Sequence, residues 1–333
     1  MPPASSQSSV MQFAACPSCR SKRIADRWPT RRIPGSKMVL WCQDCGLGWQ
    51  HPLPSPSDIR YYYHQFPTYN IHGTHEKEQG FGRRIQRIDK LEPGQGCLLD
   101  IGSGLGTFLN LALKSGWQAS GIEPQESAAE YCRQHLGIKP YVIPIEEIDL
   151  GPNLFDVVTI WDVWEHIHSP IDFIERCIGL LAPNGLLALS IPNASGYPAR
   201  LFRGNWRYVM FTHLSYFTLP YVQHIMSERN MHFLWADHTI KAQSLLQGVA
   251  SLLPIQFNTE RIIRLGRKDE STVNQDQTSQ PEFGIKKKAD PLVLLSWIRR
   301  LVLKGNLYPL PFPKGDMMDL YFKKGPEMRY PNS

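Results

Sequence analysis

Three glycines follow an acidic residue in the segment CLLDIGSGLGTF, which begins at Cys97. Asp100 ends a short apolar run, and Gly102, Gly104 and Gly106 come directly after it. A backbone without side chains lets a flat or bulky ligand approach the main chain closely. The apolar run predicts a buried strand, and open α/β sheets bind their ligands at the carboxyl ends of such strands. We therefore expect a ligand to bind at Asp100 and the glycine loop.

A second acidic residue narrows the class of that ligand. Glu123 ends the predicted strand WQASGIE, 21 positions after Gly102, and a carboxylate there can accept hydrogen bonds from both hydroxyls of a ribose. The glycine spacing differs from the dinucleotide fingerprint, and no lysine follows the glycines as a phosphate-binding loop requires. These residues alone predict a cofactor that resembles adenosine.

Two pairs of cysteines predict a metal site. They occur as CPSC and CQDC, with 22 residues between the pairs, a spacing typical of a zinc ribbon. Four thiolates complete a closed tetrahedron without an open position for water, so the zinc would be structural. The basic residues around Trp28 permit phosphate contacts, but a solvated surface is favoured over a nucleic-acid site. The predicted ligands are Cys16, Cys19, Cys42 and Cys45.

The elements that must position these residues follow from the pattern of apolar runs. Strands alternate with helices from Gly96 onward, which predicts a parallel sheet with helices on both faces. KPYVIP is expected to be a strand, and SPIDFIERCIGLLAPNG a helix with Ser169 as its cap. The chain then divides into a disordered tail at 1–12, a zinc ribbon at 13–54, a helical linker or lid at 55–92, a cofactor-binding core at 93–240, a helical insertion at 241–315 with a flexible stretch at 266–283, and a final strand with its tail at 316–333.

The composition is ordinary for a soluble protein. The 333 residues are 42% hydrophobic and 20% charged, and the formal charge of +6 is too small and too dispersed to argue for a nucleic-acid partner. We expect a cytoplasmic protein, because neither a secretion signal nor an apolar stretch of roughly 20 residues is evident. The segment DPLVLLSWIRRLVLKG permits peripheral contact with a membrane, although packing on the sheet is favoured. The sequence does not indicate the oligomeric state.

The glycine loop, together with GIEP, FDVVTIWDVWEHIHSP, LLAPNGLLALSIPN and HLSYFT, resembles the class I S-adenosylmethionine-dependent methyltransferases. The resemblance covers residues 96–324 and implies a Rossmann-like sheet of seven strands, the last of them antiparallel. It implies that the glycine loop holds the methionine part of S-adenosylmethionine and that Glu123 holds its ribose. Ile145 and Glu146 would flank the adenine, and Asp162 would lie near the amino group of the cofactor.

Methyl transfer from a sulfonium is an in-line displacement, in which the acceptor must be aligned and must lose its proton. The resemblance places His166 and His213 near the acceptor. We take His213 as the first candidate for the base and His166 as the second, with Tyr216 as a further polar group, while a structural role for either histidine stays open. Some metal-dependent O-methyltransferases, including small-RNA 2′-O-methylating and quinone-pathway enzymes, carry a cluster similar to Asp162, Glu165, His166 and His213, although they have Glu where this sequence has Asp162. A divalent ion there would lower the pKa of an acceptor hydroxyl, but an unaided base is favoured.

The sequence thus predicts a methyltransferase that uses S-adenosylmethionine, carries a structural zinc ion and acts on oxygen or carbon of a small molecule or saccharide. The alternatives are an RNA or protein methyltransferase guided by the ribbon, and a non-catalytic cofactor-binding assembly protein. The leader of the chain is similar to that of a bacterial subgroup that includes sugar C-methyltransferases, where the module looks like a lid. Tyr61, Tyr62 and Tyr63 would then reach the mouth of the site or pack between module and core.

Overall fold

The computed structural model describes most of the ribbon and the sheet-forming core. The described residues are 15–30, 32–33, 37–65, 74–144, 147, 150–152, 154–240 and 315–326. The predictions for the tail at 1–12, for nearly all of the insertion at 241–315 and for Ile145 and Glu146 lie outside these residues.

The N-terminal part, residues 15–54, forms a small antiparallel sheet that we call the cysteine ribbon. Two tight turns bring the predicted metal ligands together. Its strands pair in sequence order, and they are β1 (Ile24–Pro29), β2 (Met38–Cys42) and β3 (Gly48–His51). The Sγ atoms lie 3.6 Å apart between Cys16 and Cys45 and 3.5 Å apart between Cys19 and Cys42.

A mixed sheet forms the centre of the described core, in the order β5-β4-β6-β7-β10-β9. The first four of these strands are parallel, and β10 lies antiparallel between β7 and β9. The alternation of strands and helices and the antiparallel last strand are therefore confirmed. The strands are β4 (Cys97–Ile101), β5 (Gln118–Ile122), β6 (Phe155–Trp161), β7 (Leu181–Pro192), β9 (Met231–Thr239) and β10 (Met317–Lys324), and β8 (Ser215–Tyr216) belongs to the ribbon sheet.

The predicted seventh strand, KPYVIP, is wrong in extent. Tyr141 makes one isolated parallel bridge to Ile122 at the edge of β5, and the described residues continue the ladder no further. Pro140 and Pro144 stand on either side of this bridge. Because proline has no N–H to donate to a ladder, the pairing is restricted to the residues between them. The described sheet therefore has six strands instead of seven.

Helices cover both faces of the sheet. Successive strand residues point to opposite faces, and apolar side chains on both faces are packed against helices. Leu98 belongs to the apolar cluster that includes Phe108, and Leu99 to the cluster that includes Phe173. No helix in the described ranges has both the length and the apolar character needed to cross a membrane. The helices are α1 (Pro56–Gln65), α2 (Thr74–Leu91), α3 (Thr107–Lys114), α4 (Glu126–Tyr131), α5 (Pro170–Leu180), α6 (Tyr197–Phe202) and α7 (Leu219–Ser227).

The helix predicted after Ser169 ends earlier than expected. Leu180 is its last residue, and β7 begins at once with Leu181. Pro183 and the following Asn-Gly pair, in which Asn184 has a φ of 60°, are incompatible with a continuing α-helix. The cap at Ser169 and the proline at the first helical position agree with the prediction.

The cysteine ribbon is joined to the core through its backbone. Strand β3 pairs with β8, with Gly48 opposite Tyr216 and Trp49 opposite Ser215. The hydroxyl of Thr30 also donates to the carbonyl oxygen of Gly204 at 2.6 Å. A Cβ atom on Gly204 would lie 1.9 Å from the carbonyl oxygen of Pro29, so close that the two backbones touch. The ribbon is therefore part of one continuous structure with the core.

One carboxylate is buried inside the sheet. Asp100 on β4 is only 2% exposed, and the hydroxyl of Thr159 on β6 donates to its Oδ1 at 2.7 Å. Burial, reinforced by the negative charge of Glu123, raises the pKa of Asp100 to about 7. An ionised carboxylate in this place destabilises the fold, because the positive charge of Arg84 offsets only part of the cost of removing the carboxylate from water.

Replacing Gly204 tests the contact between ribbon and core. We expect Gly204→Ala to lower the free energy of unfolding by about 1–3 kcal/mol, because the added methyl group forces two backbones apart. Urea unfolding would measure the change. Gly179→Ala in α5 is a matched control: no atom lies within 4 Å of its Cβ position, and alanine should gain up to about 1 kcal/mol there. Equal stability of Gly204→Ala and the wild type would contradict this packing.

The buried Asp100 predicts a pH dependence of stability. Its folded pKa of about 7 lies above that of an unfolded chain, so the folded state binds the proton more tightly and stability falls as pH rises toward 7. We expect Asp100→Asn to gain stability relative to the wild type between pH 5 and pH 8, by at most roughly 3 kcal/mol. Urea unfolding at both pH values measures the difference, with the exposed Asp172→Asn as control. A pH-independent difference between wild type and Asp100→Asn would show that the carboxylate is solvated.

Candidate functional site

All three glycines of the loop after β4 have left-handed backbone angles. Their φ values are 74°, 55° and 74° at Gly102, Gly104 and Gly106, a region that glycine alone adopts at little cost. A Cβ atom would lie 2.4 Å from Cγ2 of Val163 at the first position and 2.9 Å from Sγ of Cys132 at the third. Close packing therefore requires glycine at these two positions even without a ligand.

The carboxylate of Glu123 accepts a hydrogen bond from the backbone of the glycine loop. The N–H of Gly104 donates to Oε2 at 2.8 Å, and the N–H of Gln125 donates to Oε1 at 2.9 Å. The side chain is 1% exposed. The two bonds fix the carboxylate that is predicted to hold a ribose against the backbone of the glycine loop.

A chain of hydrogen bonds runs from α2 to the predicted cofactor residue Asp162. Nη2 of Arg84 donates to the hydroxyl of Ser190 at 2.8 Å, and this hydroxyl donates to Oδ1 of Asp162 at 3.0 Å. Arg84 also forms two hydrogen bonds of 2.8 Å with Asp319 on β10 and lies over the ring of Trp161. Asp162 has a φ of 58°, unusual for a residue with a side chain. Sequence reasoning missed Arg84, because nothing in an amphipathic helix indicates a partner more than a hundred residues away.

The two predicted histidines meet although they are 47 positions apart. His166 ends a single 3₁₀ turn, Trp164–His166, that follows β6, and His213 precedes β8. Their ring centroids are 4.7 Å apart and the rings are perpendicular. Ligand atoms of Glu165, His166 and His213 all lie within 4.8 Å of one another. Asp162, the fourth residue of the predicted cluster, is not part of this group and bonds to Ser190 instead.

Hydrogen bonding determines which nitrogen of His166 carries the proton. Nδ1 lies 2.9 Å from the carbonyl oxygen of Thr212, which can only accept, so Nδ1 is protonated and Nε2 keeps its lone pair. The hydroxyl of Tyr63 on α1 is 3.0 Å from the same nitrogen. Burial lowers the pKa of His166 to about 4 and that of His213 well below its ordinary value. Both imidazoles are therefore neutral near pH 7, the form that accepts a proton or binds a metal.

Two other predicted site residues, Tyr216 and Asp100, have buried side chains. The ring of Tyr216 belongs to the apolar cluster between ribbon and core, together with Trp41 and Trp206. Asp100 lies inside the sheet with its oxygen on Thr159. Both residues are buried, with exposed fractions of 1% for Tyr216 and 2% for Asp100. Of the three consecutive tyrosines on α1, the first, Tyr61, is 68% exposed.

The four cysteines of the ribbon have the donor atoms and spacing of a zinc site. All four Sγ atoms lie within 4.8 Å of one another, and four thiolates are the typical ligands of a closed tetrahedral zinc centre. The hydroxyl of Tyr221 on α7 donates to the hydroxyl of Ser18 at 2.9 Å, which attaches the first cysteine turn to the core. The four thiols therefore fit a structural zinc ion.

Comparison with known proteins agrees with this geometry. Residues 74–233 match the family model described as a methyltransferase domain. The ubiquinone biosynthesis O-methyltransferase of Bradyrhizobium diazoefficiens is 34% identical over 118 residues, which are 34% of this chain and 46% of that protein. The enzyme of the same name from Histophilus somni is 31% identical over 122 residues, or 33% of this chain and 51% of that protein. The chain thus spans about half the length of the curated relatives it matches.

A crystal structure of a SAM-dependent methyltransferase from Archaeoglobus fulgidus superposes with a TM-score of 0.46 and 18% identity, over 80% of this chain and 99% of that one. The family match covers the glycine loop, Glu123 and both histidines. Residues 74–233 of this chain are therefore similar to a methyltransferase domain.

Proposed function

We propose that this protein transfers the methyl group of S-adenosylmethionine to a hydroxyl group of a small molecule. One observation carries the proposal. The glycine loop, Glu123 and the segment from Asp162 to His166 follow the carboxyl ends of β4, β5 and β6, which are adjacent parallel strands. The predicted cofactor residues and the histidine pair thus share the edge of the sheet where such folds bind ligands.

The relatives support oxygen as the methylated atom, because their names describe O-methyltransferases. A small acceptor is supported over RNA by two ribbon residues that could contact RNA but make contacts within the chain. Trp28 is 6% exposed and bonds to Asp26, and Arg32 donates to the carbonyl oxygens of Val209 and Arg207. The buried ring of Trp28 is therefore not available to stack on a base.

In this reaction the acceptor oxygen attacks the methyl carbon opposite the sulfur. The oxygen–carbon bond forms as the carbon–sulfur bond breaks, and S-adenosylhomocysteine leaves. His166 is better placed than His213 to take the hydroxyl proton, because its Nε2 keeps the lone pair while His213 is only 5% exposed. This reverses the order favoured by the sequence. Thr212 and Tyr63 orient the ring through Nδ1.

A specific observation supports a second version of the same chemistry. An imidazole with a pKa of about 4 is a weak base for a hydroxyl group. Two neutral imidazoles and the Glu165 carboxylate within 4.8 Å are suitable ligands for a divalent transition-metal ion. Such an ion, when bound, lowers the pKa of a hydroxyl that it contacts. In this version Glu165, His166 and His213 hold the ion.

Cofactor binding tests the proposed function directly. Isothermal titration should show that the wild type binds S-adenosylmethionine. Glu123→Gln should weaken binding by about tenfold or more, because a charge-assisted hydrogen bond contributes roughly 1.5–3 kcal/mol. Glu126→Gln, an exposed residue three positions later, is the matched control, and His166→Ala should bind normally while losing methyl transfer. A wild type that does not bind the cofactor would refute the proposal.

Metal analysis separates the two metal sites. We expect about one zinc ion per chain from a single four-thiolate site, and Cys16→Ser should lose it. If the second version is right, a further divalent ion remains in Cys16→Ser and is lost in Glu165→Gln, and methyl transfer depends on it. Should Glu165→Gln keep the metal content and the metal response of the wild type, the second version is wrong and His166 acts unaided.

A further inference from the structure

Several hydrogen bonds connect the cysteine ribbon to residues 203–216 of the core, the stretch that carries His213. Arg203 of this stretch donates to the carboxylate of Asp26 on the ribbon, and four bonds run the other way, from a donor on the ribbon to a backbone carbonyl oxygen of the core. Bonds to carbonyls fix the path of the backbone and do not depend on the side chain there. The four bonds are Thr30 to Gly204, Arg32 to Arg207 and Val209, and the N–H of Gln50 to Leu214 at 2.9 Å.

Gln50 makes the central contact of this set. It lies on β3 and is fully buried. With the amide turned so that both of its atoms find partners, Nε2 donates to the carbonyl oxygens of Phe211 and His213, each at 3.2 Å, and Oε1 accepts from Nζ of Lys37 at 3.2 Å. One side chain of the ribbon thus holds the carbonyls on both sides of Thr212.

The carbonyl of Thr212 is the group that orients His166. It accepts from Nδ1 at 2.9 Å, which keeps the proton on Nδ1 and the lone pair on Nε2. A shift of this carbonyl would free the ring to rotate or to exchange its proton between the two nitrogens. The positions of Phe211 and His213 determine where the carbonyl between them points, because peptide units are planar and rigid.

We propose that Gln50 is a positioning residue for His166. Through the carbonyls of Phe211 and His213 it fixes the carbonyl of Thr212, and so the orientation and tautomer of the imidazole. The cysteine ribbon then holds the backbone of residues 211–213 in place. A zinc ion bound to the ribbon would affect the reaction only by keeping β3 in position. The effect on turnover rests on the proposed function, whereas the effect on the tautomer of His166 does not.

Two substitutions separate this role from a purely structural one. Gln50→Met keeps the length of the side chain and removes both donors and the acceptor. Gln50→Glu keeps the shape and the contact with Lys37 but turns a carboxylate toward two carbonyl oxygens. Gln43→Met is the matched control, because Gln43 is an exposed ribbon residue in the turn between the second pair of cysteines.

The measurement is nitrogen NMR of the full chain with labelled histidine, with the His166 signals assigned by loss in a His166→Ala variant. In the wild type and in Gln43→Met the shifts should show the proton on Nδ1. In Gln50→Met and Gln50→Glu they should show a mixture of tautomers, and amide exchange of residues 211–214 should accelerate by about tenfold or more. Affinity for S-adenosylmethionine should stay within about twofold, and kcat should fall by about tenfold or more, since small misplacements of catalytic groups have such effects.

The outcomes distinguish the two proposals. If Gln50→Met is less stable but keeps the tautomer of His166, Gln50 only stabilises the fold and the positioning role is overturned. If the tautomer of His166 changes in Gln50→Met but the wild type transfers no methyl group, the positioning role of Gln50 is supported and the proposed function is refuted. If turnover falls in Gln50→Met while the tautomer of His166 and the amide exchange of residues 211–214 are those of the wild type, the loss has another origin and the positioning role of Gln50 is refuted.

Discussion

The hydrogen bond between the buried carboxylate of Glu123 and the amide of Gly104 joins the ends of two neighbouring parallel strands. This bond fixes the glycine loop after β4, in which Gly102, Gly104 and Gly106 all have positive φ angles. Asp100 lies beneath the same loop, and the charge of Glu123 helps to raise its pKa. The fold thus tolerates two buried acidic residues at one edge of its sheet, a cost that proteins usually accept only at functional sites.

The histidine pair depends on a different set of contacts. His166 comes from the turn after β6, but the groups around its ring come from α1 and from the loop that the cysteine ribbon holds. Tyr63 and Thr212 contact Nδ1, and Gln50 bonds on either side of Thr212. The glycine loop is therefore held by the sheet itself, whereas the surroundings of the histidine pair come from α1, from the cysteine ribbon and from the loop between β7 and β9. A common core with variable additions can serve different acceptors.

Much of the core followed from local patterns in the sequence. Short apolar runs predicted the strands, the glycines predicted the loop after β4, and the spacing of the cysteines predicted the ribbon. Each of these features depends on residues that are close together in the sequence. The seventh strand failed where Pro140 and Pro144 limit the ladder to one bridge. The roles of Arg84 and Gln50 were not predictable, since their partners, Asp319 and Phe211, are brought close only by the tertiary fold. The position of Tyr216 in the apolar interface likewise depends on the pairing of β8 with β3.

The central claim is that the loop braced by Glu123 holds a sulfur-containing nucleoside. A crystal structure of the protein with S-adenosylhomocysteine tests it most directly. The account predicts the ribose hydroxyls on the carboxylate of Glu123 and the amino acid part of the ligand along the three glycines, with the bond to Gly104 kept. Ligand density at another place, with the glycine loop in contact only with protein atoms, would contradict it.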